Sequence, residues 1–268
     1  MSPNQSSNKY MSKLSGKRIL VLGGTSGIGY AVAEASIESG AIVVISSSTK
    51  AKIDKAISKI QLTYPDSQTH IAGFTCDLFN TAKLETNLKE LFDFASAGAT
   101  EKIDHVVYTA GNMVGSINLA DVDTETIHKN GILRFYAPIM IGKLAPRYLA
   151  SSHESSITLT SGVNNAKPGP GRVLMAGWGA GVEGVTRGLA VDLKPIRVNC
   201  VCPGPVQTEL FDAMPESTLN ALVNKYRGAT MTNTIGKPED LAEAYLYCMR
   251  DHFVDGVVLH SSGGYMLA

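Results

Sequence analysis

The sequence predicts one doubly wound α/β domain built on a mostly parallel, seven-stranded sheet. Three observations carry this. The 268 residues are 44% hydrophobic and 7% aromatic, enough for one large core. Apolar runs of strand length recur along the chain and alternate with stretches at helical spacing. The first run, Arg18-Ile19-Leu20-Val21-Leu22, leads through Gly23-Gly24-Thr25-Ser26-Gly27-Ile28-Gly29 into the helical stretch Tyr30–Ile37, which Gly40 stops. Glycine admits positive φ and lets backbone N–H groups approach a pyrophosphate, which then rests on the positive end of the helix dipole. Between a strand and a helix, the spacing G-x-x-x-G-x-G favours a nucleotide cradle over an ordinary βα turn.

Charge and composition exclude several classes. Lys and Arg number 24 and Asp and Glu 24, with no long block of one sign, so neither a nucleic-acid groove nor an anionic membrane surface is a fitting partner. No apolar run approaches the ~18–20 residues that span a bilayer, and no signal-peptide core is evident, so a soluble, cytoplasmic protein is expected. Cys76, Cys200, Cys202 and Cys248 are scattered and lack the paired spacing of a zinc site. No metal is expected, and the thiols should be free and packed.

Met1–Ser15 is polar and reads as a mobile tail (residues 1–15), leaving 16–268 as the domain. The second strand, Ala41–Ile45, is followed by Ser46, Ser47, Ser48, Thr49 and Lys50, without an acid. An acid there would accept both ribose hydroxyls, whereas Ser47, Ser48 and Lys50 favour a 2′-phosphate, so NADP(H) is expected over NAD(H). A helix over Lys50–Leu62 precedes the third strand, His70–Thr75, which ends in Cys76-Asp77-Leu78; Asp77 suits an N-cap of the next helix. The fourth strand, Ile103–Gly111, ends in Ala110 and Gly111, small enough to let a ribose near the backbone. Asn112 is either a loop residue or a substrate contact. Thr124–Ala150 has helical periodicity throughout. Ser156–Gly162 is a fifth strand ending in hydroxyls, and the loop Asn164–Arg172, stiffened by Pro168 and Pro170, should shape the pocket. Ile196–Val201 is the sixth strand and Val257–Leu259 the seventh. Between them, 209–235 is irregular and reads as a lid, and Pro238-Glu239-Asp240 opens a helix.

From about Leu14 onward these motifs resemble the short-chain dehydrogenase/reductase superfamily, which implies a Rossmann-like fold. The resemblance assigns Gly23, Thr25, Ser26, Gly27, Ile28 and Gly29 to the cofactor and Asp77 to its adenine. It places Ala110 and Gly111 in the superfamily's Asn-Asn-Ala-Gly turn, with Tyr108 and Thr109 replacing the asparagines. Pro203, Gly204, Val206 and Thr208 match the Pro-Gly…Thr segment over the nicotinamide, and Ser161 matches the catalytic serine. Two departures stand out. Arg134 occupies the position of a catalytic-network asparagine, and the Tyr-x-x-x-Lys pair falls on Met175 and Gly179, which transfer no proton. No tyrosine lies between Tyr148 and Tyr226.

With Arg134 and without the Tyr/Lys pair, the chain looks like a fungal branch that includes the reductase/Diels–Alderases of bicyclic prenylated indole alkaloid assembly, although Gly169 stands where those carry an aspartate. The resemblance implies an NADP(H)-dependent reductase acting on an activated C=N or C=O of a small natural-product intermediate, with Arg134 and Ser161 catalytic and cyclisation coupled to reduction. A redox-neutral cyclase or isomerase that retains the cofactor, and a non-catalytic relative, remain open. So do both roles of Trp178, stacking on a flat substrate or filling a helix interface. The superfamily also implies a homo-oligomer that pairs through the long helices near 131–150 and 174–193.

Overall fold

The computed structural model describes residues 9–111, 115–211 and 214–268. Seven strands, β1 (Arg18–Leu22), β2 (Ile42–Ser47), β3 (Ile71–Thr75), β4 (His105–Tyr108), β5 (Ser156–Thr160), β6 (Arg197–Pro203) and β7 (Val258–Ser261), form one sheet in the order β3-β2-β1-β4-β5-β6-β7. Every pairing between these strands is parallel, so the sheet is parallel throughout. Eight α-helices connect them among the described residues: α1 (Gly27–Glu38), α2 (Lys50–Thr63), α3 (Leu84–Ala95), α4 (Thr124–Gly131), α5 (Ala137–Tyr148), α6 (Val173–Asp192), α7 (Glu216–Gly228) and α8 (Pro238–Arg250).

The strands read as unbroken apolar runs because both faces of the sheet are covered. Along β1 the side chains still alternate. Ile19 and Val21 join the cluster built with α1, α2 and α8, while Leu20 and Leu22 join the one built with α3, α5 and α6. The strand order reverses between β1 and β4, and the crevice at the carboxyl ends of the strands opens there.

Three expectations change. The packed domain begins before residue 16: Ser12–Leu14 forms a 3₁₀ turn, Leu14 is fully buried, and Lys13 Nζ donates to the Arg250 carbonyl at 2.7 Å. The stretch 209–235 is not irregular throughout, since α7 occupies thirteen of its residues. The helix expected over Thr124–Ala150 is broken by a π-helical turn, Ile132–Tyr136, in which Ala137 N–H reaches back five residues to the Ile132 carbonyl. Pro138 supplies the cause. It has no N–H for the Arg134 carbonyl four residues earlier, and its ring crowds that carbonyl, so the helix widens by one residue. The Leu133 carbonyl, released from the helical ladder, accepts from the Tyr108 hydroxyl at 2.6 Å.

Candidate active site

A cavity of about 300 Å³ occupies the crevice between the ends of β1 and β4. Gly23, Ser26, Gly27, Ile28 and Gly29 floor it, Ser47 and Ser48 flank one end, and Ala110, Gly111 and Thr208 line it elsewhere. The glycines are required by space. A Cβ on Gly29 would collide with the Gly23 carbonyl and the Thr109 hydroxyl, and Gly23 (φ +86°) and Gly27 (φ +52°) hold conformations that side chains strain. Ser26 caps α1 without a side-chain hydrogen bond, so the amides of the first turn take no partner from it. A dinucleotide diphosphate fits this cradle in shape and charge.

One of those amides is engaged. Gly27 N–H donates to Glu209 Oε2 at 2.7 Å, placing a carboxylate from the segment after β6 at the positive end of α1. Glu209 also lines the cavity. An anionic cofactor has to displace it. Glu209→Gln should therefore tighten NADPH binding about fivefold, the equivalent of roughly 1 kcal/mol of relieved competition. Isothermal titration measures this, and weaker binding by the variant would turn Glu209 into a helper of the cofactor.

Other expected residues divide. Lys50 does not face the cavity. As the first residue of α2 it turns outward and pairs with Asp54 at 2.7 Å, while Lys52 lines the cavity beside Ser47 and Ser48. Asp77 is not the N-cap of α3, which begins at Leu84. Its carboxylate accepts from Phe79 N–H at 2.9 Å, and its neighbours Cys76, Leu78 and Phe79 form the wall. Thr25 stands beside the lining Ser26 without lining the cavity itself, and Pro203, Gly204 and Val206 do not line it either. Gly204 lies against the Ser262 backbone, where a Cβ has no room. Asn112 lies outside the described residues.

Arg134 and Ser161 each follow a residue of the cavity wall, Leu133 and Thr160. The π turn carries Arg134, and burial lowers its pKa, opposed by the neighbouring Tyr108. A desolvated guanidinium is a strong partner for an oxygen of a ligand. Ser161 Oγ donates to Glu183 Oε1 at 3.1 Å, and Asn165 Nδ2 donates to the same oxygen. The buried thiols of Cys200 and Cys202 flank Ser161; burial pushes Cys200 up to about 12, so it stays protonated. Glu183 was not expected at the site, and Asn165 was expected there only as part of the pocket-shaping loop Asn164–Arg172. Their signal in the sequence is spacing, because Glu183 stands four residues after Gly179 and eight after Met175, on the helix face the Tyr/Lys pair would use.

Gly179 is buried, and a Cβ there would meet Asn165 Cβ at 3.3 Å. The turn Val163–Asn165 thus packs where a lysine side chain would emerge. Trp178 fills a helix interface: its ring lies 5.3 Å from Phe135, it closes over Gly131, and its Nε1–H donates to the Ile127 carbonyl at 3.2 Å. The loop Asn164–Arg172 is tied to the C-terminal turn by Lys167, which donates to the Tyr265 and Ala268 carbonyls. All four cysteines are free and buried, and no group of three or more His, Cys, Asp or Glu among the described residues is arranged to hold a metal. No helix among them is long and apolar enough to cross a membrane.

Comparison with known proteins bears on what this crevice does. A family model described as an SDR-like Rossmann domain matches residues 10–268. The short-chain dehydrogenase/reductase malC of Malbranchea aurantiaca is 43% identical over 256 residues, covering 95% of this chain and 96% of that one. The structure of the MalC reductase/Diels–Alderase superposes with a TM-score of 0.91, covering 97% of this chain and all of that one. The short-chain dehydrogenase/reductase ATR9 of Stachybotrys chlorohalonatus is 40% identical over 259 residues, 96% of this chain and 100% of its own. A short chain dehydrogenase from Burkholderia cenocepacia, solved in complex with NADP, is 25% identical with a TM-score of 0.80, covering 95% and 99% of the two chains.

Proposed function

The chain belongs to the short-chain dehydrogenase/reductase family, and from that membership we propose that it is an NADPH-dependent reductase of an activated C=N or C=O bond in a small natural-product intermediate. The observation that carries the reading is the cavity at the β1/β4 switch point, whose floor leaves no room for a Cβ at Gly23 or Gly29 and so suits the close approach of a diphosphate. In this reading Gly23 and the Thr25–Gly29 turn hold the diphosphate, and Ser47, Ser48 and Lys52 hold the 2′-phosphate. Asp77 lies on the adenine side and Ala110 and Gly111 on the ribose side, with Pro203, Gly204, Val206 and Thr208 toward the nicotinamide. When bound, the reduced nicotinamide supplies a hydride.

The remaining work falls to Arg134 and Ser161, which orient the electrophile beside the cavity. No Tyr/Lys pair is present to deliver a proton, and an iminium needs none: the hydride forms the new C–H bond, and the C=N electron pair returns to nitrogen to give a neutral amine. The reading extends to ring closure in the same pocket because a relative 43% identical is a reductase/Diels–Alderase. The segment 209–235 covers the substrate as a lid, and two copies pair through α5 and α6, whose outer faces carry the exposed Ile139 and Val191.

Two measurements test the proposal. NADPH should be consumed only when a C=N or C=O compound is added, in a one-to-one ratio with product. Lys52→Ala should cost about tenfold in NADPH affinity, leave NADH affinity unchanged, and so collapse the preference, while Lys50→Ala changes neither. Tighter binding of NADH than NADPH by the wild type would remove the 2′-phosphate from the reading.

A further inference from the structure

The hydrogen bonds around Ser161 run in one direction. A carboxylate only accepts, so the Ser161 hydroxyl proton is donated to Glu183, and the Ser161 lone pairs face the neighbouring Cys200 and Cys202 thiols and anything else that approaches. Asn165 spends a donor on the same carboxylate, and its Oδ1 is buried with no hydrogen-bond partner among the described residues. Gly179 contributes no side chain, and Met175 contributes no donor. Ser161, Asn165 and Glu183 each keep partial exposure. The wall they form therefore offers acceptors and a negative charge: the Ser161 hydroxyl and one Asn165 N–H are donated to Glu183, and the second Asn165 N–H is within reach of the Cys202 sulfur.

Reduction of a neutral carbonyl builds negative charge on oxygen, which this wall opposes. A cation meets the reverse situation. Its positive charge is greatest before the hydride arrives, so the wall stabilises the bound substrate more than the transition state, and its removal weakens affinity without slowing turnover.

We propose that Glu183, held in place by Asn165, is a specificity-determining residue that fixes Ser161 as a hydrogen-bond acceptor and selects a cationic or N–H-bearing substrate over a neutral carbonyl. The inference rests on Ser161 lying at the substrate position of the proposed reductase. It does not require turnover. The basis lies in two features, the shared acceptance by Glu183 Oε1 and the orphaned Asn165 Oδ1.

The test is binding to the full chain loaded with NADP⁺, which has no hydride to give. The probes are the N-methyl dihydroisoquinolinium cation and tetralone, a neutral ketone of similar shape. Wild type should bind the cation about tenfold more tightly than the ketone. Glu183→Gln should erase that preference by weakening the cation about tenfold while NADP⁺ affinity stays unchanged, and Glu183→Asp should keep part of it. In turnover assays with NADPH the same change should appear as a raised KM for the cation with no fall in kcat, which a loss of folding would not produce.

A cation-to-ketone ratio unaltered by Glu183→Gln overturns the inference, as does failure of wild type to bind the cation. If the ratio shifts as expected but NADPH is never oxidised, Glu183 keeps its role and the reductase reading fails. If NADPH is oxidised with either probe and the ratio is indifferent to position 183, the reverse holds.

Discussion

Arg134→Ala should lower kcat/KM by about a hundredfold while leaving NADPH affinity within twofold. Arg134 follows the cavity-lining Leu133 and burial lowers its pKa, and a hydrogen bond from such a partly desolvated charged group contributes roughly 1.5–3 kcal/mol, or about one to two decades in rate. Arg134→Lys should recover only part of the loss, because a lysine keeps the charge without the planar fork. The backbone gives the effect its specificity. Pro138 forces the π turn, and the Tyr108 hydroxyl takes up the Leu133 carbonyl that the turn releases, so the segment leading into Arg134 is held from two sides. Steady-state kinetics with an iminium substrate that carries a carbonyl oxygen for the guanidinium to hold read this directly, and full activity in Arg134→Ala would take Arg134 out of the site.

The second large effect belongs to the cradle. Gly29→Ala should abolish measurable NADPH binding and cost about 1–3 kcal/mol of stability, because the added methyl collides with the Gly23 carbonyl, which is backbone and cannot swing away. Gly177→Ala is the control. Nothing lies within 4 Å of its Cβ position on α6, and replacing a helical glycine there should be neutral or stabilising by up to ~1 kcal/mol. Thermal unfolding and cofactor titration of both variants separate space from composition; equal behaviour of the two would mean that the approach at Gly29 is not as tight as its surroundings indicate.

Much of the fold was legible because a sheet covered on both faces writes itself as apolar runs. All seven strands lie where those runs stand, and α1 and α2 begin and end within a few residues of their expected bounds. What escaped had specific causes. Apolar periodicity is nearly the same on either side of one inserted residue, so Thr124–Ala150 looked like a single helix; the only signal of the π turn was Pro138, four residues after Arg134. Lys50 and Lys52 differ by about 200° around a helix, and only the start of α2 decides which one faces the cavity. Leu14 was lost among polar neighbours although it anchors the chain to the core. Glu183 and Asn165 went unnoticed because the site was sought at Met175 and Gly179, where the expected side chains are missing. One turn further along the same helix stands the Glu183 carboxylate, held by the Asn165 that the buried Gly179 makes room for.

On the proposed function, this chain moves a hydride from nicotinamide to carbon without the usual proton donor. Incubation with NADPH deuterated at nicotinamide C4 and the N-methyl dihydroisoquinolinium cation, followed by mass analysis of the product, tests it most directly. The account predicts a neutral amine carrying a single deuterium on the former iminium carbon, formed in step with oxidised cofactor. Unlabelled or isomerised product over intact NADPH would contradict it and move the chain to redox-neutral chemistry.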